Sequence, residues 1–289
     1  MKWNSFSPPI LVLLVYLLVQ GLGTVLLFGI GALVSPEFGD AVRAFISGET
    51  QNIPFLELMP ISAFSLVLMV VDILAVLICY FFLRYIRFST TFDTSSIKWR
   101  PGMLAIAGGI LGALSISILT EKVELPYELM QTTLAMSHNF WGLLAIVIIG
   151  PILEELLFRE AIIGEMLRRN AKPWVAILAS AIAFGIAHFN LAQGLYAFPL
   201  AILFGIIYYK TGNIILTSLL HIINNGFSAA QLYFLGEDVE DISYADWFGG
   251  TLQAYTIMLL FGVLSIALIM NFCKVYPSYN KFTSENNNI

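Results

Sequence analysis

The stretch GPILEELLFRE, residues 150–160, places Glu154, Glu155 and Arg159 inside a long apolar segment. A charged side chain at the centre of a bilayer costs about 2.5–3.5 kcal/mol on insertion scales. Such residues occur in membrane helices where they pair with one another or face a polar cavity. The stretch therefore predicts a membrane-spanning helix that faces a buried polar site.

The composition of the whole chain agrees with a membrane protein. Of 289 residues, 58% are hydrophobic and 11% are charged, and the mean hydropathy is +0.84. Soluble domains carry about 25% charged residues. The apolar segments are long enough for helices rather than barrel strands. The net charge of −5 identifies no partner, and no nucleic-acid partner is expected. Cys79 and Cys273 form neither a disulfide pattern nor a zinc spacing.

The fold class is predicted to be all-α and polytopic, with about eight transmembrane helices in one bundle covering residues 1–289. The spans are placed at 10–34, 63–86, 102–120, 141–169, 173–189, 195–211, 213–234 and 252–273. The first span, from Pro9 to Val34, lacks a small-residue cleavage site, so it is interpreted as retained rather than removed as a signal peptide. The polar tail from Ser284 is expected to fray.

Charges divide the predicted loops into two sets. One set is basic, with Arg84, Arg87, Lys98, Arg100, Arg168, Arg169, Lys172, Lys210, Lys274 and Lys281. The other is acidic, with Glu37, Asp40, Glu49, Glu57, Glu121, Glu124, Glu128, Glu237, Asp238, Glu240, Asp241 and Asp246, against only Arg43 and Lys122. Because basic loops stay in the cytoplasm, both termini are predicted to be cytoplasmic, in a bacterial plasma membrane.

Two stripes of small residues predict close helix packing. Gly108 and Gly112 are four residues apart in the third span, and Ala179, Ala183 and Ala187 repeat in the fifth. Small side chains allow helix backbones to approach closely in membranes. In the long loop 35–62, whether residues 53–59 lie along the membrane interface is left open.

The two adjacent glutamates point in different directions on a helix. Glu155 and Arg159 are four residues apart and share a helix face, so they are expected to form a buried ion pair. Glu154 points about 100° away from its neighbour on an α-helix, so the same arginine serves it less well. Glu155 is therefore interpreted as structural, and Glu154 as a carboxylate available for general base catalysis.

Distances along the helices bring two histidines to the depth of Glu154. Glu154 and His188 lie seventeen residues before and after residue 171, where spans four and five turn. With a rise of about 1.5 Å per residue, both are about 25 Å from that turn. His221 and Asn225 follow the turn at residue 212 by roughly 13 and 20 Å and share one helix face.

These positions predict a division of roles in peptide hydrolysis. Glu154 and His188 would hold and deprotonate a water molecule. His221 and Asn225 would donate hydrogen bonds to the oxyanion of a tetrahedral intermediate. Glu155 and Arg159 would order the site, and no serine or cysteine nucleophile is required.

Three motifs carry a resemblance to a known family. EELLFR at Glu154–Arg159 fits EExxxR, FGIAH at Phe184–His188 fits FxxxH, and HIINN at His221–Asn225 fits HxxxN. In order and spacing they resemble the CPBP family of intramembrane proteases, also called the CAAX prenyl endopeptidase or bacteriocin-processing family. The resemblance covers residues 140–230, which is the expected catalytic helical core.

The resemblance implies an eight-helix, glutamate-dependent endopeptidase of the kind that processes CAAX-box proteins. Glu154 and His188 would activate the water, His221 and Asn225 would form the oxyanion site, and Phe184 belongs to a motif. The implied substrates are prenylated C-terminal peptides or other membrane-associated peptides and proteins in the lipid bilayer.

Alternatives to a metal-independent protease stay open. Glu154, His188 and His221 would suit a His₂Glu zinc site with one open position, although HExxH is absent. No other cofactor is expected. The chain would alternatively be a non-enzymatic bacteriocin immunity, self-protection or scaffold protein.

Two further polar residues need an interpretation. Asp72, in the middle of the second span, would accept hydrogen bonds from another helix or stay protonated. With Glu154 it would also suit a proton-coupled transporter, but no inverted repeat is present. His138 lies beside Trp141 and is interpreted as a plain residue of the membrane interface.

Overall fold

The computed structural model describes residues 6–50, 55–94 and 97–276 of the chain. Within these ranges the chain is helical, without a β-strand. The helices are α1 Ser7–Val34, α2 Pro36–Ser47, α3 Phe55–Leu58, α4 Ile61–Phe81, α5 Phe88–Thr91, α6 Trp99–Thr120, α7 Tyr127–Ser137, α8 Phe140–Arg168, α9 Pro173–Ala187, α10 Leu191–Thr211, α11 Ile215–Leu235, α12 Tyr244–Phe248 and α13 Thr251–Val275.

The predicted all-α membrane fold is confirmed. Among the described residues, six helices are long and apolar enough to cross a membrane, namely α1, α4, α6, α8, α10 and α13. The other two predicted spans are also helices. α9 is apolar but only 15 residues long, and α11 has 21 residues and carries the HIINN motif.

Some predicted boundaries were wrong by several residues. The second span was expected to reach residue 86, but α4 ends at Phe81, and Arg84 adopts a left-handed φ of 58°. The fifth span was expected to reach residue 189, but His188 is the C-cap of α9 and Phe189 turns the chain with a φ of 57°. Hydropathy does not register these turns because the residues around them remain apolar.

α8 is not a uniform α-helix. Residues Leu144–Ile149 and Glu155–Gly164 form π-helical turns on either side of Gly150–Glu154. Pro151 follows the first widened segment. Because proline lacks an N–H and its ring crowds the carbonyl four residues earlier, a widened turn relieves the clash. The second π-helical segment begins at Glu155 and includes Arg159, so the EExxxR motif crosses its start, with Glu154 as the last residue of the α-helical segment.

Successive long helices alternate in direction, so the loops gather at two ends of the bundle. At the basic end, the Arg168 side chain donates to the carbonyl of Tyr85 at 2.5 Å, and the Asn213 side chain donates to the carbonyl of Asp93 at 3.5 Å. At the acidic end, the backbone N–H of Tyr244 donates to Glu121. α2 packs against α1 at the acidic end. Residues 53–59, whose place at the membrane interface was left open, are only partly within the described residues. The tail from Ser284, which was predicted to fray, lies wholly outside them.

The predicted small-residue contact joins α6 to α13. A Cβ on Gly108 would lie 3.0 Å from Ile269, and one on Gly112 would lie 2.8 Å from the Ser265 hydroxyl. That hydroxyl donates to the carbonyl of Gly108 at 2.7 Å. The other face of α13 exposes apolar side chains such as Val263 (63% exposed), as expected for contact with lipid.

A second buried polar network lies between Glu154 and the basic end of α8, and the sequence reading did not anticipate it. Glu160 is fully buried. Its carboxylate accepts hydrogen bonds from Arg168 at 2.9 Å and from the Tyr208 hydroxyl at 2.5 Å. Arg168 also donates to Glu165 at 2.9 Å. The network satisfies charges that would otherwise be expensive to bury.

Candidate functional site

A cavity of about 780 Å³ opens between the helices beside the polar stretch of α8. Its lining includes Glu154, His188, His221 and Asn225, together with Phe184. The structure therefore brings all four residues that were predicted to carry chemistry to one space. Their side chains come from α8, α11 and the end of α9.

His221 lies between the two adjacent glutamates. Its Nδ1 is 3.1 Å from an oxygen of Glu155, and its Nε2 is 3.6 Å from an oxygen of Glu154. The Glu155 side chain is fully buried, whereas that of Glu154 is 22% exposed. Glu154 is therefore the carboxylate that water or substrate can reach, and Glu155 orients the imidazole ring.

The expected ion pair between Glu155 and Arg159 is present. Arg159 Nε lies 3.1 Å from Glu155 Oε2, and both side chains are fully buried. The guanidinium carbon lies 5.0 Å from the ring centre of Phe184 and 5.8 Å from that of Phe204. Among the described residues, the Arg159 nitrogens have no well-aligned hydrogen-bond acceptor. Ion pairing and the two aromatic faces therefore hold this cation.

His188 lines the cavity without bonding to Glu154. Its Nδ1 lies 2.8 Å from the carbonyl oxygen of Phe184, which can only accept, so this nitrogen carries the proton. The Nε2 of the neutral ring is then an acceptor. Within the described residues, no hydrogen bond or ion pair joins Glu154 to His188. Phe184 also packs edge-on against the His188 ring, with centroids 4.8 Å apart.

A chain of hydrogen bonds fixes Asn225. The Tyr196 hydroxyl donates to Asn224 Oδ1 at 2.5 Å, and Asn224 Nδ2 donates to Asn225 Oδ1 at 3.2 Å. Asn225 Nδ2 donates to the carbonyl of Ile146 at 2.9 Å, within the first π-helical segment of α8. A side-chain amide has two N–H groups, so one remains for a ligand.

Asp72 faces the same cavity, which its place in the sequence did not indicate. Gln20 of α1 donates to Asp72 at 2.6 Å, so the expected hydrogen bond from another helix is present. Tyr16, one helical turn from Gln20, lines the cavity as well. Residues of α1 and α4 thus add polar groups to the wall of the cavity. His138, by contrast, is exposed at the acidic end and stacks on Tyr233 at 4.8 Å.

The side chains do not fit a zinc site as they stand. A His₂Glu site would need Glu154, His188 and His221 around one ion. In the described part of the chain, no group of three His, Cys, Asp or Glu side chains is placed to hold a metal. The Nδ1 contacts of His188 and His221 leave each Nε2 available, so the misfit lies in the relative placement of the three side chains and not in their chemistry. Glu154, His188 and His221 would have to move relative to one another to hold a metal ion.

Sequence reasoning missed several residues of this site. Asn224 was visible inside HIINN, but a single helix face could not show that it bonds to Tyr196. Tyr196 gave no signal because a tyrosine in an apolar helix is ordinary. Outside the cavity, Glu160 lies beside the motif, and its contact with Arg168, eight residues and about 12 Å of helical rise further on, is not one that i,i+3 or i,i+4 spacing predicts.

Fold and site together define an integral membrane protein with carboxylate, imidazole and amide side chains around an internal cavity. Residues 136–227 match the family described as Rce1-like, type II CAAX prenyl endopeptidase Rce1-like. The match covers about a third of the chain and includes all three motifs, so the resemblance predicted from those motifs is confirmed. No curated protein and no solved structure matches the chain.

Proposed function

We propose that the protein is an intramembrane endopeptidase that hydrolyses a peptide bond of a membrane-associated protein or prenylated peptide. The observation that carries this proposal is the convergence of Glu154, His188, His221 and Asn225 on one cavity. The Rce1-like match supports a hydrolase similar to CAAX proteases. Residues 140–230 form the catalytic core in this proposal, and the bilayer is expected to be a bacterial plasma membrane.

In the proposed reaction, Glu154 takes a proton from a water molecule held between its carboxylate and His188 Nε2. The resulting hydroxide attacks the scissile carbonyl carbon, and the carbonyl oxygen becomes an oxyanion. The tetrahedral intermediate collapses as Glu154 passes the proton to the leaving amine. Glu154 is suited to this role because it is the exposed member of the glutamate pair.

Stabilisation of the oxyanion falls to His221 and Asn225. Because Glu155 accepts from the Nδ1 side of His221, Nε2 faces the cavity beside Glu154 and donates when the ring is protonated. Asn225 contributes its second amide N–H. Preorganised donors of this kind are typically worth about 2.7–4 kcal/mol each in the transition state. Arg159 maintains the charge of Glu155, so its effect on the reaction is indirect.

The test is cleavage of membrane-anchored and prenylated peptides by purified protein in detergent. Wild type is compared with Glu154→Gln, with Glu49→Gln as a control at an exposed position outside the cavity. We expect Glu154→Gln to lose cleavage at least 100-fold, while Glu49→Gln and wild type cleave equally. Unchanged cleavage by both Glu154→Gln and His188→Ala would exclude the proposed mechanism.

A chelator added to each reaction distinguishes a metal-dependent protease from a metal-independent one. Cleavage that survives the chelator and is lost in Glu154→Gln supports a carboxylate-activated water without metal. Cleavage that is lost in wild type with the chelator and also in Glu154→Gln favours a zinc site formed by rearrangement of Glu154, His188 and His221. Folded wild type that cleaves no peptide, with normal biological activity of Glu154→Ala, would instead support the immunity or scaffold alternative.

A further inference from the structure

Among the described residues, the lining of the cavity reaches one end of the bundle and not the other. Beyond Glu154 and His221, its lining continues through Ser117, Glu121, Leu125, Thr132, Leu232 and Tyr244. These residues belong to the end of α6, the loop after it, α7, the end of α11 and the start of α12. Val123 and Leu125 are 38% and 37% exposed, so the mouth lies at the acidic end.

The basic end is closed by packing. No residue of the described loops 82–87, 169–172 or 212–214 lines the cavity. Between the cavity and that end lie the fully buried Arg159, Glu160 and Tyr208. A hydrogen bond from Arg168 to Glu160 at 2.9 Å also ties this part of α8 together. In the described part of the chain, the cavity therefore connects Glu154 with the acidic end and not with the basic end.

The distribution of charged residues indicates on which side of the membrane the acidic end lies. The loops at the acidic end carry twelve acidic and two basic residues. The basic end carries Arg84, Arg87, Lys98, Arg100, Arg168, Arg169, Lys172, Lys210 and Lys274. Cytoplasmic loops are the ones enriched in lysine and arginine. We propose that the mouth of the cavity opens on the extracytoplasmic face, so that the substrate is a peptide anchored in the extracytoplasmic leaflet.

This inference rests on the proposed function and narrows its substrate class. A prenylated C-terminal tail in the cytoplasm would meet the closed, basic end of the bundle. A peptide held in the outer leaflet by a lipid or by its own transmembrane helix would enter between α6, α7 and α11. The acidic mouth also favours approach of cationic over anionic segments, because charges around a cleft focus its field.

Cysteine labelling tests the sidedness without any need for catalysis. The background variant is Cys273→Ala, which retains the buried Cys79. Thr132→Cys places a thiol in the mouth of the cavity, and Arg100→Cys places one at the exposed basic end as the matched control. A membrane-impermeant maleimide is applied to right-side-out and to inverted vesicles.

We expect Thr132→Cys to react at least tenfold faster in right-side-out vesicles and Arg100→Cys to show the reverse. Preferential labelling of Thr132→Cys in inverted vesicles would overturn the proposal. Equal labelling from both sides would overturn it too, since the cavity would then open at both ends. No labelling of Thr132→Cys while Arg100→Cys reacts would show that the mouth is not open to water.

A second measurement addresses the substrate. Right-side-out vesicles with wild type or Glu154→Gln receive a lipid-anchored peptide in the outer leaflet, and a second batch carries a prenylated peptide trapped inside. We expect cleavage of the outer peptide only, and only by wild type. Cleavage of the inner peptide alone would overturn the substrate assignment. If labelling gives the expected sidedness and wild type cleaves neither peptide, the proposed protease function fails and the orientation stands.

Discussion

At the scale of single residues, the site depends on how a few charges are paired. Glu155 is held by Arg159 at 3.1 Å and by His221 at 3.1 Å, and it has no exposed surface. Glu154 lies 3.6 Å from His221 Nε2 and reaches the cavity. Adjacent identical side chains therefore differ in chemistry because the helix turns one towards protein and the other towards open space.

Replacement of Arg159 by alanine should lower the free energy of unfolding. Arg159→Ala leaves the buried Glu155 without its cation, and breaking a buried pair typically costs about 3–5 kcal/mol. Glu155→Gln in the same chain should restore part of that loss. The measurement is the midpoint of denaturant-induced unfolding in detergent.

Arg43→Ala provides the control for this prediction. Arg43 and Asp40 form an ion pair whose side chains are 72% and 73% exposed. Exposed pairs contribute about 0.2–1 kcal/mol, so this variant should unfold close to wild type. Equal midpoints for Arg159→Ala and Arg43→Ala would mean that the inner pair is solvated.

Tyr196→Phe should lower turnover without weakening binding of substrate. The hydroxyl fixes Asn224, which in turn orients Asn225. A hydrogen bond of this kind contributes about 0.5–1.5 kcal/mol, so kcat should fall by about 2- to 10-fold with KM unchanged. Tyr209→Phe, on the same helix near the basic end, should leave both constants unchanged. A higher KM with normal kcat would make Tyr196 a binding residue instead.

At the scale of elements, helix contacts are set by small residues and by local departures from α-helical geometry. Gly108 and Gly112 bring α6 against α13, and Pro151 follows a π-helical segment of α8. The carbonyl of Ile146 in that segment accepts from Asn225. The irregular geometry of α8 thus contributes directly to the position of a proposed catalytic side chain.

Gly112→Leu should destabilise the contact between α6 and α13. Its Cβ would meet Ser265 Oγ at 2.8 Å and Leu203 at 2.9 Å. Overpacking of this kind costs about 1–3 kcal/mol, which a lower unfolding midpoint would report. Gly29→Leu is the matched control because no atom lies within 4 Å of that position. Similar midpoints for the two variants would show that α13 moves aside without cost.

At the scale of the whole molecule, the bundle is asymmetric between its two ends. Buried pairs such as Arg168 with Glu160 close the basic end. At the acidic end the cavity passes between helices and reaches the residues after α6. Access to Glu154 is therefore decided by how α6, α7, α8 and α11 are arranged together.

Filling the cavity should impair cleavage while the fold survives. Ala113→Phe adds a ring on the cavity side of α6, whereas Ala107→Phe adds one on an exposed position of the same helix. We expect kcat/KM for a peptide substrate to fall at least tenfold in the first variant only. Both should keep the gel-filtration profile of wild type. Equal activities would place the substrate path elsewhere.

The sequence by itself determined the class of fold, the approximate spans and the pairing of Glu155 with Arg159. These follow from hydropathy and from spacings within one helix, where geometry is nearly fixed. It also placed Glu154, His188, His221 and Asn225 near one depth, because the number of residues between each of them and a turn gives its distance along the helix axis. The roles of these four residues remain proposals.

Only the tertiary structure decided which side chains meet across helices. It placed His221 between both glutamates, joined Tyr196 to Asn224, turned Asp72 towards the cavity and opened the cavity at the acidic end. Rotation and tilt of each helix depend on packing against several neighbours at once. Periodicity along a single helix therefore leaves these contacts undetermined, and the assembled bundle selects among them.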